Sequence, residues 1–260
     1  MAIVDNTLVV KYNLVDLHIV PGLTITNREV NMLPDRNLRT YKLARADGSI
    51  TTTAEYTTKK IIVGGIIIGV SRQVVESSID TLRGLLASNE GEIDIVMAGT
   101  TRRFIGTLSS MTNDLIGGYC TFTLEFTCAS PVGSDTTTTT LLASTANTAA
   151  GASYSISVGG SYRAEPYITI TYSAITGGTG ATVEVYNAAD NIGLSITRTW
   201  VSGDVLEIDN YNKTVLVNGV SVARSGRFFY FPSGANDLGY SDNMTTRTMT
   251  IAATYTRRYV

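Results

Sequence analysis

"GDVLEIDNYNKTVLVNG", residues 203–219, sets three carboxylates and three asparagines among alternating aliphatic residues. It reads either as an acidic site or as a hairpin with wet edges, and the choice decides what the surrounding chain can be. Leu206 and Ile208 fall on one side of an extended strand, while Val205, Glu207 and Asp209 fall on the other. Tyr211, Asn212 and Lys213 make a turn, and Thr214 to Val217 run back. Asn218-Gly219 then supplies the strongest two-residue hairpin signal, into Val220 and Val222. Glu207 and Asp209 sit roughly 6–7 Å apart, as any alternate strand residues do. A glycosidase needs carboxylates facing each other across a cleft with one pKa raised, which neighbours on one strand do not achieve. The spacing of a helix-flanked calcium loop is also absent. The stretch is therefore expected to be a hairpin whose acids face water and keep strand edges soluble.

Working outward, the rest of the second half has the same texture. "YITITYSA", "ATVEVYNA", "LSITRTW", "TVLV", "VSVA", "RFFYF" and "TMTIAATYT" are short strands at regular spacing, joined by turns such as "GGTG" and "PSGAN". In the last, Met249, Ile251, Ala253 and Tyr255 alternate with threonines and Ala252. Residues 154–260 are thus expected to form an all-β sandwich.

The first half adds a helix. In "SRQVVESSIDTLRGLLASNEG", Val75, Ile79, Leu82 and Leu86 form one apolar stripe. Ser71 is placed to cap its N-terminus, and Asn89 and Gly91 to stop it. Around it, "IIVGGIIIGV", "GEIDIVMAG", "RRFIGTLSSM" and "CTFTLEFTC" read as strands, with a turn at Asp47-Gly48 and closure near Pro131. Residues 1–131 are expected to be an α+β domain. Between the halves, residues 132–153 carry almost no charge and no aromatic residue, and read as a Thr/Ala/Ser-rich linker or arm.

Composition narrows the function. The chain has 260 residues, is 43% hydrophobic and has a formal net charge of −2, without the basic stripe that nucleic-acid binding requires. The start lacks a basic-then-apolar leader, and the Ile61 to Val70 window is about half the length of a membrane helix, so a soluble product made in a cytosol is expected. Cys120 and Cys128 lie on one strand face roughly 26 Å apart, far beyond the about 7 Å that a disulfide tolerates. They are expected to be free, buried thiols. The lone His18 is expected to be structural, in an early strand, with no second histidine or nearby thiol to build a metal or nucleophile site. No cofactor, metal or catalytic residue is expected. The candidate ligand contacts are aromatic: Trp200, Phe228 and Tyr230. Alternation puts Phe229 and Phe231 on the other face from Phe228 and Tyr230.

The order of these segments resembles the distal tail proteins of long, non-contractile-tailed bacteriophages. The resemblance is carried by "DGS" before "KKIIVGGIIIG", by "SRQVVESSIDTLRGLLAS", by "GEIDIVMAG" with "RRFIGTL", and by "CTFTLEFTCASP". In the second half it is carried by "GGSYRAEPYITITY", "GDVLEIDNYNKTVLVNG" and "FFYFPSGAN". It implies a mainly β fold: a tail-tube-like β-sandwich or barrel with one α-helix, then a galectin-like sandwich. It also implies a virion protein, assembled in the host cytoplasm, that forms a homohexameric ring in the tail, with no catalytic residues. Its implied partners are the tail tube protein, the tail tip or hub protein and receptor-binding proteins, with DNA passing the lumen unbound and no membrane involved. The alternative is a carbohydrate-binding module that grips host saccharide through Trp200 and the exposed members of Phe228 to Phe231.

Overall fold

The computed structural model describes residues 8–29, 34, 36–42, 49–88, 90–97 and 99–260. The chain divides into two compact units, Met1–Thr136 with Val260, and Thr137–Tyr259. The Asp47-Gly48 turn and the Asn89 helix stop lie outside the described residues.

The first unit runs β1 (Val10–Tyr12), β2 (Val15–Asp16), β3 (Leu23–Glu29), β4 (Arg36–Lys42), β5 (Ser49–Tyr56), β6 (Lys59–Ile68), α1 (Arg72–Leu85), β7 (Gly91–Met97), β8 (Thr100–Ile116), β9 (Tyr119–Cys128) and the start of β10 (Gly133–Asn147). β8 is long because two sheets share it. Thr100 to Gly106 pair with β7, which pairs in turn with β1, while Thr107 to Ile116 pair with β9. A register shift between Leu108 and Ser110 marks the bulge after the crossover, where an extra residue bends a strand. β9 continues through β6 to β3, all antiparallel. β4 and β5 form a separate hairpin.

The core of this unit follows from the alternation. Ile61, Val63 and Ile67 of β6 and Cys120, Phe122, Leu124, Phe126 and Cys128 of β9 are buried. α1 closes over them with Val75, Ile79, Leu82 and Leu86, the expected stripe. Ser71 caps it by accepting the Val74 N–H at 3.4 Å. Gly65 is required between the strands, since a Cβ there would collide with the Phe122 ring and the Thr24 carbonyl. His18 departs from expectation. It sits in a 3-10 turn, Leu17–Ile19, where Asp16 accepts its N–H and pairs with Nδ1, each at 2.9 Å. The Asp16 side chain out-competes the ladder for that backbone group.

The second unit continues with the rest of β10, then β11 (Gly151–Val158), β12 (Tyr167–Thr176), β13 (Ala181–Asn187), β14 (Ile192–Arg198), β15 (Val205–Asp209), β16 (Thr214–Val217), β17 (Val220–Ser221), β18 (Ser225–Gly226), β19 (Gly234–Asp242) and β20 (Thr246–Tyr259). One sheet has the order β17-β16-β15-β12-β20-β10, the other β11-β19-β13-β14-β18. Their inner faces share one core in which Tyr172 meets Trp200 at 5.4 Å and Phe229 meets Phe231 edge-on at 5.6 Å. Both units are open-sheet β structures, and the mainly β class with one helix among the described residues matches the sequence reading.

Three sequence readings give way here. Residues 132–153, read as a linker or arm, contain all of β10 and the start of β11; threonine is a strand former, and low charge does not make a segment loose. "RFFYF" is not a strand; only Phe231 makes a β-bridge, to Ala164, and the rest is held by single hydrogen bonds to Gly193, Asn210 and Asn187. "PSGAN", read as a turn, gives its last three residues to the start of β19, which is central between β11 and β13. Its Gly239 lies under the Tyr186 ring, where a Cβ would clash.

Burial pushes the Cys128 thiol up from 9.0 to about 11. The folded state thus holds this thiol neutral, a contribution fully present below pH 9.0 and lost as pH rises toward about 11. Desolvation lowers the pKa of its neighbour Lys59, which acts with the opposite sign, so the test compares two proteins. Urea midpoints of the wild type should fall more steeply over this alkaline window than those of Cys128→Val.

Candidate functional site

The acids of the opening stretch part company in space. Asp204, expected to face water, is instead buried, because it accepts the Val201 N–H at 3.0 Å and takes the Asn218 amide at 2.8 Å. Glu207 accepts the Tyr167 hydroxyl, a bond that pushes the phenol up to about 12. Asp209 caps its own turn, accepting the N–H groups of Tyr211 and Asn212, each at 2.9 Å. Asn218 and Gly219 both have positive φ, 53° and 75°, as the two-residue hairpin demands. Each carboxylate serves a turn or a cross-strand contact, and the three do not converge.

The aromatic candidates separate as well. Trp200 is 2% exposed and donates its indole N–H to the Ala181 carbonyl at 3.0 Å. It fills the core, which corrects its reading as a ligand contact: its ring turns inward against Tyr172. Phe228 is half-buried, Tyr230 is 47% exposed, and Phe229 and Phe231 are buried. The alternation therefore holds although the segment is not a strand.

Phe228 and Tyr230 belong to a larger constellation that sequence reasoning missed. Three segments are bolted together by the fully buried Asn210. Its amide donates to the Pro166 carbonyl at 3.0 Å and its oxygen accepts the Phe229 N–H at 3.1 Å. Ala164 and Phe231 exchange both backbone hydrogen bonds, at 2.8 and 2.9 Å. Residues 162–166, 209–213 and 228–231 thus share one end of the sandwich.

At their meeting point lies Glu165, whose side chain is 11% exposed. Arg258 donates to it at 2.7 Å and Lys213 at 3.3 Å, and the Arg163 guanidinium lies 3.9 Å away. Around this carboxylate the cations also cover aromatic rings. Arg163 lies over Tyr230 at 4.6 Å, Arg258 over Tyr211 at 4.8 Å, and Arg224 over Phe228 at 4.1 Å with Lys213 at 5.5 Å. Each such contact contributes about 0.5–1 kcal/mol at exposed sites. Ring faces that carry a guanidinium are not open platforms for a sugar, so the geometry does not favour the carbohydrate reading. What it offers is positive charge held in place. The only available sequence signal is "YRAEP", Tyr162 to Pro166, an aromatic–cation–acid run directly before a strand.

Residues 159–259 match the family model described as siphovirus-type tail component, C-terminal domain. The fold of the whole chain is similar to that of the Dit (gp 19.1) protein of phage SPP1, described as a paradigm of the hub adsorption apparatus in phages infecting Gram-positive bacteria. The TM-score is 0.70 at 15% identity, covering 97% of this chain and 99% of that one. A chain of the phage P2 baseplate in its activated, calcium-bound conformation aligns with a TM-score of 0.41 at 9% identity, over 93% of this chain and 92% of that one. No curated protein matches in sequence. The sequence match thus covers residues 159–259, within the second unit, and the similarity of fold covers the whole chain.

Asn210→Ala would leave the Phe229 N–H and the Pro166 carbonyl unpaired in the core. It should destabilise the second unit by about 1–3 kcal/mol, read as a lower urea midpoint with an unchanged slope.

Proposed function

We propose that this chain, whose second unit is a siphovirus-type tail component domain, is a structural hub of the phage tail: a homohexameric ring that joins the tail tube to the tail tip. The first unit lines the channel and stacks on the tube. The second serves as the platform on which host-adsorption proteins attach. DNA crosses the lumen without specific binding, and the protein acts in the virion by geometry rather than by catalysis.

The observation that carries self-association is a row of exposed apolar side chains on the first unit. Ile116 of β8 faces Tyr119 of β9, which faces Ile68 of β6. Directly opposed residues project on the same sheet face. Ile116 is 68% and Ile68 is 56% exposed. The Gly117-Gly118 hairpin tip beside them, with Gly117 at φ 61°, keeps the approach free of bulky side chains. Contiguous apolar surface of this kind marks a contact surface, and a head-to-tail contact between identical copies closes into a ring when its rotation allows.

Negative-stain images of the purified protein, alone and mixed with tail tube protein from the same phage, should show pored rings. Ile116→Lys should abolish them while leaving the circular dichroism unchanged. Monomers under both conditions would overturn the reading.

A further inference from the structure

The site around Glu165 is out of charge balance, and the excess continues onto two sheet edges. β17 ends one sheet of the second unit and β18 ends the other, and one short segment, Val220 to Gly226, supplies both. β17 is only half used. Val222 donates its N–H to Val215 at 3.2 Å, so the alternation of an antiparallel ladder turns the Ser221 N–H and carbonyl away from β16. An edge with free backbone groups accepts another extended polypeptide. Here the segment carries no acid, Arg224 lies within it and Arg227 follows it.

Arg224 and Arg227 are exposed, and among the described residues neither has a carboxylate within ion-pair distance. Arg224 is held by its side chain and Arg227 by its backbone. Arg224 stacks on Phe228, and the Arg227 N–H is bonded to the Gly193 carbonyl at 2.8 Å. The intervening Gly226, at φ 85°, passes so close to Gly193 that a Cβ would collide with its carbonyl. Lys213 and Arg163 extend the same positive surface, with Glu165 shared between them and Arg258. The nearby carboxylate of Asp209 is consumed by its own turn.

We propose that this end of the second unit docks an extended, acidic segment of a partner protein. Its backbone would pair with the β17 edge at Ser221, and its carboxylates would meet Arg224, Arg227, Lys213 and Arg163. The backbone edge selects polypeptide over an anionic polysaccharide, which has no N–H ladder to add. Cations already immobilised on rings cost less ordering on binding than free ones. The inference deepens the platform role and rests on it for its biological meaning, but the surface can be tested by itself.

A random peptide library selected on the full-length protein should enrich Asp- and Glu-rich sequences of strand-forming composition. The Arg224→Gln/Arg227→Gln double variant should weaken the enriched peptides roughly tenfold or more, about 1.4 kcal/mol, with unchanged circular dichroism and particle size. Hyaluronan, which carries carboxylates without a peptide backbone, should not displace them at matched charge. Absence of acidic enrichment, equal binding by the variant, or displacement by hyaluronan would each overturn the proposal. Rings that form but select no acidic peptide would sink the docking surface and leave the hub reading standing. Acidic peptides bound by a protein that never forms rings would do the reverse.

Discussion

One buried amide organises one end of the second unit. Asn210 uses its amide hydrogen on Pro166 and its oxygen on Phe229, while its own backbone carbonyl accepts from Lys213. A side chain of this kind is expensive to bury unless satisfied, and once satisfied it allows one arrangement of the loops it joins. From that arrangement follow the position of Glu165, the three cations gathered on it and the rings beneath them. The surface chemistry is thus downstream of a core hydrogen bond, and its rigidity is inherited from the sandwich.

The same logic accounts for the buried charges that take no part in the surface. Tyr172 contacts Tyr240 at 3.2 Å, Tyr240 donates to Asp242 at 2.6 Å, and Arg247 donates to Asp242 at 2.7 Å. Burial raises both phenols above their ordinary range. A perturbed, buried set of this kind often marks an active site. Here each member is consumed by the next, and Arg247 also donates to the Thr148 carbonyl. The chain of bonds joins the β10–β11 connection to the β19–β20 connection. Its effect is to hold two turns at one end of the sandwich, where removing a partner would strand a buried charge.

Legibility in the sequence tracked how local each determinant is. The hairpin at 203–219, the Ser71 cap and helix stripe, the one-faced burial of Cys120 to Cys128 and the inward set Met249 to Tyr255 all rest on period and turn chemistry, and all appear in the structure. β19 was illegible because "GANDLGYSD" has turn composition. It becomes a strand only through the neighbours on both its sides, with Gly239 selected by the Tyr186 ring. β10 was hidden by a threonine run that resembles a linker in composition and a strand in propensity. Trp200 failed as a surface residue because a ring's direction depends on tertiary packing. The Glu165 cluster joins positions 163, 165, 213, 224 and 258, and no window along the chain contains them.

These findings separate what a scaffold needs from what a binding surface needs. Pleated alternation supplies two cores and turns polar and charged residues to the outer faces, where they discourage indiscriminate association. A specific contact requires the opposite, an edge or face from which that protection has been withdrawn. Two regions meet the condition, each by a different means. On the first unit the withdrawn element is polarity, at the Ile116, Tyr119 and Ile68 row. On the second it is negative charge, along Val220 to Arg227, where Arg224 rests on the Phe228 ring rather than on an acid. An apolar row suits permanent association, since it gains by leaving water whatever the salt. A basic edge suits selection among partners, because charge discriminates and steers more than it binds. In the proposed hub role, the apolar row would serve closure of the ring and the basic edge the choice of what it carries.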